Sequence, residues 1–254
     1  MLPDMRWFPA LAASFLLLIG TQLRAADLPS ADELVLKVLA RDEAQQTALT
    51  HYQYHQKVAT DWLNPDGTVR HGSELEMIVH PGEAGDFSIV ADGKGGVLSP
   101  DQTSDKERKE ARDSEKLKAN FSLRELASRF EIKVSGPETL RGQSAYILAF
   151  SPRPGQPYTN RIEKVLNNLT GKMWVSTDDY GILQTEAHLA KPVDMAWVFA
   201  TMKELDFRFE AEPIPGAEPA LLAPAEFDLD FRVDVTIREV RQRQRISMDD
   251  YQSK

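Results

Sequence analysis

The sequence predicts an α+β chain built on a large antiparallel sheet, and three observations carry that prediction. Apolar and polar residues alternate in one segment after another, most clearly over 227–237, where Phe227, Leu229, Phe231, Val233, Val235 and Ile237 hold the odd positions while Asp228, Asp230, Arg232, Asp234 and Thr236 hold the even ones. A period of two is the pattern of a strand with one buried face. Turn signals such as Asn64-Pro65-Asp66-Gly67 recur between the alternating segments, as they do between antiparallel neighbours. Helical spacing is confined to a few stretches, the first close to the N-terminus.

That terminus has its own layout. Arg6 precedes an apolar run over 7–20 that ends near Leu23-Arg24-Ala25-Ala26, which is the charged, apolar and small-residue order of a secretory signal peptide. The run is too short for a comfortable membrane span. Residues 1–25 are therefore expected to be removed near Ala25, leaving 26–254 as one soluble, exported domain. The chain has no cysteine, so neither a lipid-modified cysteine nor a disulfide framework is available, and the core must hold the fold. Export without disulfides points to a bacterial periplasm. A net charge of −9 disfavours nucleic-acid binding.

Ser30, with Glu33 three residues on, reads as a helix cap, and Leu34, Val35, Val38, Leu39 and Ala44 follow at helical spacing, predicting a helix over 31–47. Period two then takes over: Tyr52, Tyr54 and Val58 face one way, and His51, Gln53, His55 and Lys57 the other. After the turn at Asn64, Leu75, Met77 and Val79 bring the chain back, and Phe87, Ile89 and Ala91 continue the sheet beyond His80-Pro81-Gly82. The stretch 101–118 carries six acids and six bases, several paired at four-residue spacing, and predicts a solvated helix that docks by its later, apolar half. Strands return at 130–134 and 145–150, a short helix over 161–169 follows, and 172–176 with 182–189 form a hairpin around Asp178-Asp179-Tyr180-Gly181. Residues 195–202 fit helix or strand. Leu205, Phe207 and Phe209 alternate again, and a loop rich in proline and alanine over 213–224 leads into the long strand. Its parity fails at Val240, which predicts a bend or bulge near Arg238-Glu239.

No motif for catalysis or metal binding emerges. His51 and His55 sit about 13 Å apart along a strand, too far to share an ion. There is no cysteine and no Gly-x-Ser-x-Gly, and the glycines after Asp92 lack the Lys-Ser/Thr ending of a phosphate loop. Asp228 and Asp230 lie on the wet side of their strand, unlike a desolvated catalytic acid. The expectation is a protein that is not an enzyme and uses no cofactor. What recurs is apolar and aromatic side chains on one face: Tyr52, Tyr54, Met77, Phe87, Ile89, Phe150, Trp174, Phe207, Phe227 and Phe231. These either fill a core or line a cavity for an apolar ligand. Arg241, Arg243 and Arg245 share a strand face and form the one basic concentration, suited to an anion or an acidic partner.

The signal peptide, N-terminal helix, long strands and charged insertion, together with RIEKVLNNLTGKMWVS from Arg161, Asp178-Asp179-Tyr180, Glu186-Ala187-His188-Leu189 and Met248-Asp249-Asp250-Tyr251, resemble a group of bacterial exported proteins. That group is similar to the outer-membrane lipoprotein-sorting carriers (LolA/LolB-like) and to the sensor domain of periplasmic anti-sigma-factor regulators. The resemblance implies an incomplete, strongly curved antiparallel β-barrel with helices covering its open, concave side. It also implies a monomeric periplasmic carrier for a lipid or lipoprotein acyl chain, gated by helices near 31–47 and 103–127. The carriers' gating arginine and hook-like loop match no position here. The alternative is a non-enzymatic envelope sensor or scaffold that binds a protein partner through its sheet edge or its arginine-bearing strand.

Overall fold

The structure, a computed structural model, describes residues 28–81, 87–91, 96–97, 104–105, 108–109, 127–195, 200–217, 220–236 and 238–254. The candidate signal peptide and nearly all of the charged insertion, with its expected gating helix, lie outside the described residues.

Helix α1 (Ala31–Leu49) begins where its cap signal places it: the Ser30 hydroxyl accepts the Glu33 N–H at 3.2 Å. It buries Leu34, Val38, Gln45 and Leu49, one face of the helical period. A second, short helix, α2 (Arg161–Leu166), is capped by Asn160, whose side chain accepts from the Glu163 N–H at 2.9 Å.

The strands are β1 (Tyr52–Leu63), β2 (Val69–Val79), β3 (Phe87–Ala91), β4 (Gly96–Val97), β5 (Phe130–Leu140), β6 (Gln143–Pro152), β7 (Leu169–Ser176), β8 (Ile182–Leu189), β9 (Val193–Asp194), β10 (Ala200–Pro213), β11 (Leu222–Val235) and β12 (Arg238–Ser253). They form a single antiparallel sheet in the order β4-β3-β2-β1-β12-β11-β10-β8-β7-β6-β5, with β9 beside β10. First and last strands of the chain meet at its centre, as Val58 pairs with Ile246. Among the described residues the end strands β4 and β5 do not pair, so the sheet stays open.

It is nevertheless strongly curved. Helix α1, about 28 Å long by its 19 residues, touches β1, β11 and the edge strand β5. A flat sheet would hold β1 and β5 seven strand spacings apart, about 34 Å, which exceeds that length. The observed architecture is the α+β arrangement on a large antiparallel sheet that the sequence predicts, and its open, curved form is the incomplete barrel that the resemblance implies.

Register makes the two faces explicit. Ser73, Thr60, Gln244, Leu229, Phe207, Ala187, Gly171, Phe150 and Ile132 are successive partners across nine strands from β2 to β5. Leu75, Val58, Ile246, Phe227, Phe209, Thr185, Met173, Leu148 and Val134 form the next row on the same face. This face carries the main core, to which α1 adds Leu34 and Val38 and α2 adds Val165 and Leu166.

Two local expectations change. The parity break near Val240 is a hairpin and not a bend: Val235 pairs with Arg238, so the chain has reversed by the start of a sixteen-residue strand. Residues 195–202 are strand at their described end, since β10 starts at Ala200 and Met202 pairs with Val193. Both β5 and β6 also run further than predicted, because Arg141 and Gly142, with φ of 48° and 83°, close them as a two-residue hairpin between Leu140 and Gln143.

Candidate functional site

The concave face joins most of the predicted cavity residues in one cluster. Met77, Ile89, Phe150, Phe207 and Phe227 are buried there, and Tyr54, Phe87 and Phe231 pack against them while remaining half-buried. Phe207 and Phe227 meet edge to face at 5.0 Å, as do Phe130 and Phe150 at 5.2 Å. Ile132, Val134, Tyr146 and Phe209 are further half-buried apolar groups of the same surface.

Two predicted residues sit elsewhere. Tyr52 packs with a smaller cluster of Leu49, Ile214, Leu221 and Ala223 at the end of α1. Trp174 belongs to a cluster with Ala145, Leu183, Ala211 and Leu222. Its neighbours Met173 and Val175 point into the main core, so strand alternation sends Trp174 to the opposite face. There the tip of the β5–β6 hairpin covers it: Glu138 accepts from its indole N–H at 3.4 Å, and Arg141 donates to the carbonyls of Leu183 and Ala211 and pairs with Glu210. Trp174 is thus removed from the cavity set by the alternation itself.

The concave face also holds polar groups that the sequence reading passed over. Gln56 is 0% exposed, and Thr60, four residues further along β1, and its β12 partner Gln244 are buried on the same face. The Gln244 amide donates to the Thr60 hydroxyl at 3.3 Å, and the Gln56 amide to the Met77 sulfur at 3.6 Å. Their parity with Val58 and Ile246 was a readable signal of inward orientation.

Helix α1 is fastened across this face by polar contacts at its outer side. Arg41 Nε and Nη2 donate to Asp179 Oδ2 at 3.1 and 2.8 Å, and Nη2 also reaches the Ala220 carbonyl at 3.2 Å. One turn earlier, Lys37 donates to the Tyr180 hydroxyl at 3.3 Å and lies 4.8 Å from the centre of its ring. The receiving element is the β7–β8 turn. Burial pushes the Asp179 carboxyl up, but the Gly181 N–H, the Ser176 hydroxyl and the Arg41 guanidinium together outweigh it and hold it below the ordinary carboxylate value.

The outer face is a lattice of charge. Glu74, Ala59, Arg245, Asp228, Arg208, Glu186 and Lys172 are successive partners from β2 to β7, and from Arg245 to Lys172 the sign alternates at every step. Opposite charges across strands stabilise the pairing. Arg241, Arg243 and Arg245 share this face, as their spacing predicts. Arg243 donates to Asp230 Oδ2 through Nε and Nη2 at 3.2 and 3.1 Å, and Arg245 pairs with Asp61 at 3.2 Å. Two open clefts, of about 520 and 340 Å³, lie on this same polar side and share Asp228 and Arg245.

The chain matches no family model and no curated protein. Among solved structures it is similar to an outer membrane lipoprotein-sorting protein domain from Vibrio parahaemolyticus, with 10% identity over 87% of this chain and 91% of that one at a TM-score of 0.38. It is similar also to a LolA superfamily protein from Nitrosomonas europaea, with 10% identity over 89% and 94% at 0.35. A third is the MucA/MucB complex of Pseudomonas aeruginosa, with 12% identity over 85% and 94% at 0.28.

Proposed function

We propose that this chain is a non-enzymatic periplasmic carrier or binding protein that holds a lipid, a lipoprotein acyl chain or another apolar ligand between the curved sheet and its helices. The observation that supports this reading is the state of the concave face: Tyr54, Phe87, Ile132, Val134, Tyr146 and Phe231 belong to the main apolar surface yet stay half-buried, so the packed core leaves apolar wall uncovered. Each methylene a ligand buries against that wall contributes about 0.8 kcal/mol. No helix among the described residues is long and apolar enough to cross a membrane.

Native mass spectrometry of protein purified from a bacterial envelope, followed by titration with a fluorescent fatty acid, tests the reading. Co-purified lipid and saturable uptake that Phe231→Asp weakens are expected. Ligand-free protein that takes up no fatty acid sinks the idea.

A scaffold reading keeps one observation in its favour: β5 is an edge strand with Glu131, Lys133 and Ser135 exposed along it. On that reading a protein partner adds to the edge or contacts Arg241, Arg243 and Arg245. Replacing the three arginines with serine then abolishes partner binding and spares fatty-acid uptake.

A further inference from the structure

Arg232 of β11 and Arg241 of β12 are direct register partners on the outer face. Like charges in that position destabilise an antiparallel pair, and a guanidinium cannot shed its charge. The surrounding carboxylates answer only part of the demand. Glu204 takes Arg232 Nη2 at 3.0 Å. Asp230 Oδ1 lies 3.7 Å from Arg241 Nε, outside hydrogen-bond reach, while its Oδ2 is held by Arg243. As a result the Nε groups of both Arg232 and Arg241 are buried and have no acceptor among the described residues. Unmet buried donors are rare in folded proteins, and here two of them stand side by side on facing strands. The side chains that carry them are 33% and 28% exposed, so a ligand can reach the guanidinium groups from solvent.

We propose that Arg232 and Arg241 form a binding site for a phosphate-type oxyanion, either free phosphate or a phosphate monoester of a lipid headgroup. A tetrahedral anion between two guanidinium groups supplies several acceptor oxygens at once, drawing both Nε–H groups outward and cancelling the repulsion between the arginines. Arg243 and Arg245 are less suited, because Arg243 already donates to Asp230 through Nε and Nη2 and neither of the two leaves a buried donor unmet among the described residues. The carboxylates of Asp206 and Asp230 in the row on one side, and of Asp234 and Glu239 in the row on the other, bound the site and favour a single compact anion over an extended polyanion. The site is on the face opposite the apolar wall, so it stands independently of acyl-chain binding.

The test is a titration of purified, nitrogen-15-labelled protein with inorganic phosphate at fixed ionic strength, read on the arginine Nε–H resonances. In parallel, phosphatidylcholine vesicles with and without phosphatidic acid are tested for binding. Saturable shifts of two Nε–H signals are expected, with affinity reduced about tenfold or more in Arg232→Gln and in Arg241→Gln and unchanged in Arg245→Gln. Vesicle binding that needs phosphatidic acid and the same two arginines assigns a headgroup; phosphate binding with no vesicle binding assigns the free anion. Both results support the site. Absence of saturable binding to either probe, binding indifferent to both glutamine variants, or full rescue by Arg241→Lys, which keeps charge but removes Nε, overturns it. The glutamine variants relieve a like-charge pair, so their melting temperatures are expected to stay at or above that of the parent, which separates loss of the site from loss of the fold.

Discussion

Gly171 is fixed by its neighbours and not by its own backbone. A Cβ built there would lie 2.0 Å from the Glu186 carbonyl oxygen, 2.6 Å from the tip of the Phe150 ring and 2.8 Å from the Ala187 Cα. Phe150 is its register partner, so the ring lies across the bare backbone and fills the space where a side chain would stand. Gly171→Ala must move the strand or expel the ring, and is expected to lower unfolding free energy by about 2–4 kcal/mol, measured by urea denaturation. Asp42 makes a different residue-level case. It follows Val38 by one turn on the inward side of α1, and burial raises its carboxyl above the ordinary value, with Gln46 opposing in part. A raised folded-state value favours the protonated form, so the stabilising contribution is complete below the unfolded value near 4 and is lost as pH rises through the folded one. Asp42→Asn is therefore expected to raise the melting temperature at pH 7 and to leave it nearly unchanged at pH 3. A variant that is no more stable at neutral pH removes the burial explanation.

At the scale of elements, α1 shows how local and long-range signals divide. Its start was legible because the Ser30 cap and the Leu34/Val38 spacing are local, and the strands were legible where one face is apolar. Less legible were features that depend on a partner distant in the chain. The β5–β6 hairpin tip turns on Arg141, a residue without the usual preference for positive φ, whose guanidinium is anchored on β8 and β10. The reversal after Val235 carries no glycine, asparagine or proline, and so read as a bulge. Trp174 looked like a cavity residue because its type is aromatic; its parity with Lys172, and not with Met173, was the better guide. Of the candidate site, the aromatic wall was therefore readable, while the polar Gln56, Thr60 and Gln244 were overlooked because residue type was weighed above position. The fastening of α1 is also non-local, since Arg41 and Asp179 are 138 residues apart. Arg41→Ala is expected to destabilise docking of α1 by about 1 kcal/mol, seen as faster amide exchange in Ala31–Leu49 with little change in the central strands. The contact also has an acid limit. With its folded value depressed, the Asp179 contribution is present above pH 4 and lost as pH falls through that lower value. Exchange in α1 should accordingly approach that of Arg41→Ala only below the ordinary carboxylate range.

At the scale of the whole molecule, curvature and charge assign separate tasks to the two sides of one sheet. The alternating strands send every second residue to the concave face, where β1, β11 and β5 come within reach of a single helix, and send the remainder to a charged exterior in which opposite charges alternate along the row from Arg245 to Lys172. Among the described residues the sheet is open, and helix α1, not a closing strand, spans its apolar face. If α1 gates a ligand there, its contacts with the β7–β8 turn set the barrier to release. Loss of about 1 kcal/mol from the closed state then corresponds to release about fivefold faster, provided that opening precedes dissociation. Stopped-flow displacement of a fluorescent fatty acid is expected to show this increase for both Arg41→Ala and Asp179→Asn, and the double variant should release no faster than the singles, since both remove the same contact. Trp174→Phe, in the cluster on the opposite face, should leave the rate unchanged. Equal rates in the parent, both single variants and the double variant would mean that ligand leaves by a route α1 does not cover, and the gate would have to be sought elsewhere around the open sheet.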